Sequence, residues 1–94
     1  MNEQLVLERT YEIVNALGLH ARAAAQLVQL AQKFEADVEV CKDDLAVNGK
    51  SIMGVLMLAA AKGTRIVVRT AGADAATAME DIGELIRNGF WEEG

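Results

Sequence analysis

The sequence predicts an α+β fold in the order β-α-β-β-α-β-α, with helices over one face of a four-stranded antiparallel sheet. Three observations predict it. Four segments alternate apolar and polar residues or are dense in β-branched residues, as strands are. Three other segments repeat apolar residues at steps of three and four, or hold a run of helix formers. The two kinds of segment do not follow the strict strand–helix–strand alternation of a parallel sheet.

The elements are justified in chain order. Residues 7–14, LERTYEIV, set Leu7, Tyr11 and Ile13 on one strand face and Glu8, Thr10 and Glu12 on the other, with Arg9 interrupting the apolar side. NALG then turns the chain. Over 21–34, Ala24, Leu27, Ala31 and Phe34 share one helical face, which Leu30 widens. Residues 37–43, DVEVCKD, alternate again, with Val38 and Val40 on one side. A tight turn at Asp43 and Asp44 leads to the short strand LAVNG, 45–49. The segment SIMGVLMLAAA, 51–61, is apolar and N-capped by Ser51. It is too short to stand as an independent helix, so packing must hold it. TRIVVRT, 64–70, is a β-branched strand. In the final helix Asp74 is the expected cap, and Ala75, Met79, Ile82 and Ile86 form the buried face. Arg87 complements the dipole at its C-terminus, and Gly89 is the expected stop. The chain has no proline, so glycines 18, 49, 63 and 72 punctuate it. Glu12, Glu39, Arg65 and Arg69 are expected on the sheet face turned to water.

At 94 residues the chain suits a single domain over 1–94 with one modest core, which favours a surface site over a deep cleft. A composition of 52% hydrophobic and 24% charged residues is that of a soluble globular fold. The net charge of −5 argues against nucleic acid and against an anionic membrane surface. Cys41, the only cysteine, has no internal disulfide partner. The opening MNEQLVLERTYE carries charges where a signal peptide needs apolar residues, and the longest apolar run, IMGVLMLAAA, is short of a membrane span. A cytoplasmic protein is expected.

The chemistry concentrates at GLHAR, which holds the only histidine. A lone histidine is ordinarily a surface or capping residue. His20, however, stands at a predicted helix start, where unpaired amides and the helix dipole favour an anion. Arg22 adds a guanidinium suited to phosphate oxygens. A helix N-terminus also favours the neutral, nucleophilic imidazole. Attack of that ring on a phosphoryl group would leave the new anion beside the amides. No metal-ligand spacing, Ser–His–Asp order or phosphate-loop glycine pattern accompanies it, so no metal is expected. The second stretch of interest is NGKSIMGVLML. Val55, Leu56 and Leu58 read as core, whereas Ile52, Met53 and Met57 are either core or an adaptable partner surface. Ser51 is foremost a cap, and a phosphate on it would sit favourably at the helix start.

GLHAR and NGKSIMGVLMLAAAKG together resemble the active-site and regulatory-serine motifs of the histidine-containing phosphocarrier (HPr) family of the bacterial phosphotransferase system, over about residues 5–90. The resemblance implies an open-faced β-sandwich. It implies that His20 accepts a phosphoryl group on Nδ1 from phosphorylated enzyme I, charged by phosphoenolpyruvate, and passes it to an enzyme IIA-type acceptor. Arg22 would help hold the group. Ser51 aligns with the serine that an HPr kinase/phosphorylase modifies in some bacteria. Ile52, Met53 and Met57 align with the family's apolar docking patch. A monomeric carrier without cofactor, rather than an enzyme, is implied, with partners supplying most of the transition-state stabilisation. A phosphate on Ser51 would place negative charge near His20 and hinder docking. The alternative is a regulatory binding module controlled by phosphorylation of Ser51. Two departures stand out. Ala23 occupies the place of the family's usual proline, which implies a less rigid helix start. The ending GFWEEG is as similar to the nitrogen-related branch of the family as to the sugar-transport branch.

Overall fold

The computed structural model of the chain describes residues 6–92, so residues 1–5 of the charged opening and the last two residues of GFWEEG lie outside the described part. The elements are β1 (Val6–Glu12), α1 (Ala21–Ala31), β2 (Asp37–Lys42), β3 (Leu45–Asn48), α2 (Ile52–Met57), β4 (Arg65–Ala71) and α3 (Ala75–Arg87), followed by a short 3₁₀ turn, Gly89–Trp91. The strands form one sheet in the order β1-β4-β2-β3, every neighbouring pair antiparallel. This is the predicted element order and sheet.

Alternation along the strands decides the layers. Val38, Val40, Ile66, Val68 and Thr70 point inward and are buried against Ala24, Leu27 and Ala31 of α1 and Ala75, Met79, Ile82 and Ile86 of α3. The one polar member, Thr70, satisfies its hydroxyl by donating to the carbonyl of Ala75 at 2.8 Å. On the outer face, Arg69 lies between Glu8 of β1 and Glu39 of β2 in register. Its Nε donates to Glu8 at 2.6 Å and its Nη1 to Glu39 at 2.8 Å. Pairs this exposed are each worth about 0–1 kcal/mol, so their main effect is on register. Arg69 holds the Glu39 carboxyl below the usual range, and burial pushes the Cys41 thiol up.

The structure shortens two predicted helices and redirects one predicted cap. α1 ends at Ala31 rather than Phe34, because the next amides tighten to i→i−3 bonds, Lys33 to Leu30 and Phe34 to Ala31. The Phe34 carbonyl then accepts from Lys50 Nζ at 2.7 Å. α2 ends at Met57 rather than 61, because Ala59 turns left-handed at φ 48° and the Ala60 carbonyl is taken by the amide of Leu19. Asp74 occupies the N-cap position of α3, but its carboxylate accepts no bond from its own helix. It accepts instead from the amides of Glu35 and Ala36, at 3.0 and 2.8 Å, tying the α1–β2 loop to the start of α3.

These bonds hold the Asp74 carboxyl below the usual aspartate range. The stability they confer is therefore full above the ordinary aspartate pKa of about 4 and is lost as pH falls through the lower, folded value. Asp74→Asn should flatten the acid limb of a stability–pH profile measured by urea unfolding below about pH 4. In the same assay Ala59→Gly should stabilise the protein by about 0.5–1 kcal/mol, since glycine removes the left-handed strain at a small cost in unfolded-state entropy.

Candidate functional site

The segment from Asn15 to Gly18 folds back on itself. The amide of Gly18 donates to the Asn15 carbonyl at 3.2 Å, and Asn15 Nδ2 donates to the Gly18 carbonyl at 2.8 Å. Gly18 sits at φ 64°, and a Cβ there would stand 2.5 Å from the Ala60 carbonyl oxygen. Only glycine permits that approach. The next amide, of Leu19, donates to the same carbonyl at 2.9 Å, and the Leu19 side chain enters the core. His20 is thereby delivered to the N-cap of α1 with extended backbone, φ −74° and ψ 178°. Its carbonyl accepts from Ala24, but its side chain caps nothing. The amides of Ala21, Arg22 and Ala23 have no partner among the described residues.

The imidazole is held from the other side by the chain's ending. Its Nε2 lies 3.0 Å from Glu92 Oε2, and the two side chains are 28% and 17% exposed. The same carboxylate oxygen accepts from Asn15 Nδ2, so this buried amide spends its two protons on Gly18 and Glu92. Glu92 reaches this place through three consecutive left-handed residues, Gly89, Phe90 and Trp91, at φ 61°, 56° and 58°. For the two that carry a Cβ this costs roughly 1–2 kcal/mol each. Burial of Phe90 in the core offsets it. A carboxylate can only accept a hydrogen bond. The neutral ring therefore carries its proton on Nε2, and the lone pair resides on Nδ1, which has no partner among the described residues.

Arg22, the second residue of α1, is exposed and makes no ion pair among the described residues. It lines a groove of about 460 Å³ with Leu17, His20, Gln26, Trp91 and Glu92. The structure thus brings His20 and Arg22 together, as predicted. Asn15 and Glu92 were not legible as site residues. NALG reads as a turn and WEEG as an acidic tail, and the two side chains meet across 77 positions.

Ser51 caps α2, its Oγ accepting from the amide of Gly54 at 3.1 Å. Val55 and Leu58 are buried and Leu56 packs partly against the core, as predicted. Ile52, Met53 and Met57 are 43%, 72% and 66% exposed, which decides for a surface rather than a core role. Gln32, just past α1, donates to the carbonyl of Lys50, while Leu19, just before α1, bonds Ala60, just past α2. The two helices are therefore antiparallel. Ser51 and His20 lie at opposite ends of α1, whose 11 residues span about 16 Å. This corrects the expectation that a phosphate on Ser51 would sit near His20. The patch extends along α2 between the two sites.

The family model for the PTS HPr component phosphorylation site matches residues 7–88. A phosphocarrier protein HPr of Neisseria meningitidis serogroup A is 54% identical over 89 residues, covering 95% of this chain and 99% of its own. One from Xylella fastidiosa is 48% identical, covering 94% and 99%. The crystal structure of an HPr from Thermoanaerobacter tengcongensis superposes with a TM-score of 0.90 at 42% identity, covering 94% of this chain and 99% of its own. The chain belongs to the HPr family of phosphocarrier proteins of the phosphotransferase system.

Replacing Asn15 tests the buried bridge. Asn15→Ala should lower stability by about 1–3 kcal/mol in urea unfolding, since it leaves the Gly18 carbonyl without its side-chain donor and frees Glu92.

Proposed function

From membership in that family we propose that His20 is the phosphoryl acceptor of a cytoplasmic, monomeric carrier, charged on Nδ1 by phosphorylated enzyme I and discharged to an enzyme IIA-type acceptor. The observation that carries this reading is the state of the imidazole. Its Nε2 is occupied by a carboxylate and, among the described residues, its Nδ1 has no partner, at a helix start with three amides likewise unpaired. In the forward step the Nδ1 lone pair forms the N–P bond while the bond from phosphorus to enzyme I breaks, its electron pair staying with enzyme I. Arg22, beside His20 in the groove, offers guanidinium donors to the phosphoryl oxygens. The chain contributes a half-buried nucleophile open to the groove and an anion-binding helix start, and its partners contribute the rest of the chemistry.

Ile52, Met53 and Met57 form the surface on which different partners dock, methionine adapting to varied shapes. Ser51 at the edge of this surface is the regulatory position, open to a serine kinase. About 16 Å exceeds the Debye length of about 8 Å at physiological ionic strength, so a phosphate there acts on docking rather than on the ring. In the second reading, that of a regulatory module, Ser51 alone carries the signal. The exposed patch beside Ser51 supports it, but that reading leaves the arrangement around His20 without a use.

Incubation with phosphoenolpyruvate and enzyme I should yield an acid-labile phosphate on the wild-type chain and none on His20→Ala. Absence of label on the wild type would overturn the carrier reading. Arg22→Ala should slow phosphorylation ten- to a hundredfold, the loss expected for one charge-assisted hydrogen bond of about 1.5–3 kcal/mol. Ser51→Asp should raise KM for the carrier in the enzyme I reaction with little change in kcat. A pure regulatory module would instead show unaltered partner affinity in His20→Ala and changed affinity in Ser51→Asp.

A further inference from the structure

Glu92 belongs to neither sequence motif, yet among the described residues its carboxylate alone reaches the imidazole of His20. We propose that Glu92 is a positioning residue for phosphoryl transfer, which fixes the proton on Nε2 and balances the positive charge that the ring acquires when Nδ1 is phosphorylated. The proposal rests on the phosphoryl-acceptor reading of His20.

Three observations support it. The contact is at ordinary hydrogen-bond distance, 3.0 Å, and the Glu92 side chain is mostly withdrawn from solvent, so screening is reduced. The carboxylate is itself oriented by Asn15, a buried amide whose other proton is fixed on the Gly18 carbonyl. An oriented group costs no reorganisation at the moment of transfer. The backbone that delivers Glu92 holds two successive residues with a Cβ, Phe90 and Trp91, in left-handed conformation. Such strain persists only where the surroundings over-determine it, and it gathers at functional sites. Seating Phe90 in the core anchors this segment; the turn through Trp91 then places the carboxylate at the Nε2 edge of the ring.

The charge balance gives Glu92 its work. When the Nδ1 lone pair bonds to phosphorus, the neutral ring becomes a phosphoimidazolium that keeps its proton on Nε2, and Glu92 faces that proton. On donation to the acceptor, the N–P bond breaks, its electron pair returns to Nδ1, and the ring is neutral again with the proton still on Nε2. No proton moves in either direction. A carboxylate that orients a histidine and stabilises its imidazolium without taking the proton is the part an aspartate plays in a serine-protease triad.

The test uses the full chain with enzyme I and phosphoenolpyruvate. Glu92→Gln keeps an acceptor oxygen for Asn15 and for Nε2–H but removes the charge. It should lower kcat for phosphorylation about tenfold with KM within twofold of wild type. Glu92→Ala should lower kcat at least as much and also raise the share of the Nδ1–H tautomer, read from the ¹⁵N shifts of the neutral His20 ring. Glu92→Asp should recover part of the rate. The proposal is overturned if Glu92→Gln matches the wild-type kcat, if its loss appears in KM, or if Glu92→Ala leaves the ring ¹⁵N pattern unchanged. Should Glu92→Ala fail to fold, the kcat-against-KM split of Glu92→Gln decides alone. A wild-type chain that takes no phosphate would overturn the carrier reading itself, an outcome distinct from any of these.

Discussion

The hydrogen bond from the Leu19 amide to the Ala60 carbonyl is the contact on which the site depends. It requires the backbone at Gly18 to touch that of Ala60, which no side chain at position 18 would allow. Once made, it fixes three things together. It sets the point where α1 begins, and so makes His20 an N-cap. It draws the chain after α2 out of helical conformation, with Ala59 left-handed. It also brings the end of α2 to the start of α1, so that the exposed side chains of α2 and the imidazole share one surface.

The fold was legible in the sequence wherever a segment is buried on one side only. Val38, Val40, Ile66 and Val68 alternate with residues that face water, and Ala75, Met79, Ile82 and Ile86 keep helical spacing, because in both cases the period of burial equals the period of the backbone. Helix ends were less legible because tertiary contacts set them. The tightening after Ala31 and the capture of the Ala60 carbonyl are not properties of the local residues. Asp74 shows the same limit: its position at a helix start follows from local preference, whereas its partners, Glu35 and Ala36, come from a loop far away in sequence.

The site divides in a similar way. His20, Arg22 and Ser51 could be identified because each stands at a helix start, where chemistry and local structure coincide. The exposure of Ile52, Met53 and Met57 had two readings that only the packing of Val55 and Leu58 could separate. Asn15 and Glu92 carried no local sign at all. Their pairing needs the whole fold, since α3 must return the chain to the start of α1 before Glu92 can meet the turn at Asn15. A net charge of −5 gives no hint that one carboxylate among 14 acidic residues is singled out.

The turn that carries Glu92 inward leaves Trp91 facing outward, 63% exposed on the rim of the groove that holds His20 and Arg22. It is the only tryptophan in the chain. An indole in water emits at longer wavelength than one covered by a protein surface, and it is quenched by different neighbours in the two settings. The molecule thus has a native fluorophore at the edge of its reactive centre. A partner that rests against His20 and reaches the rim of the groove would cover it, and its arrival and departure would then be written in the emission of an unlabelled chain.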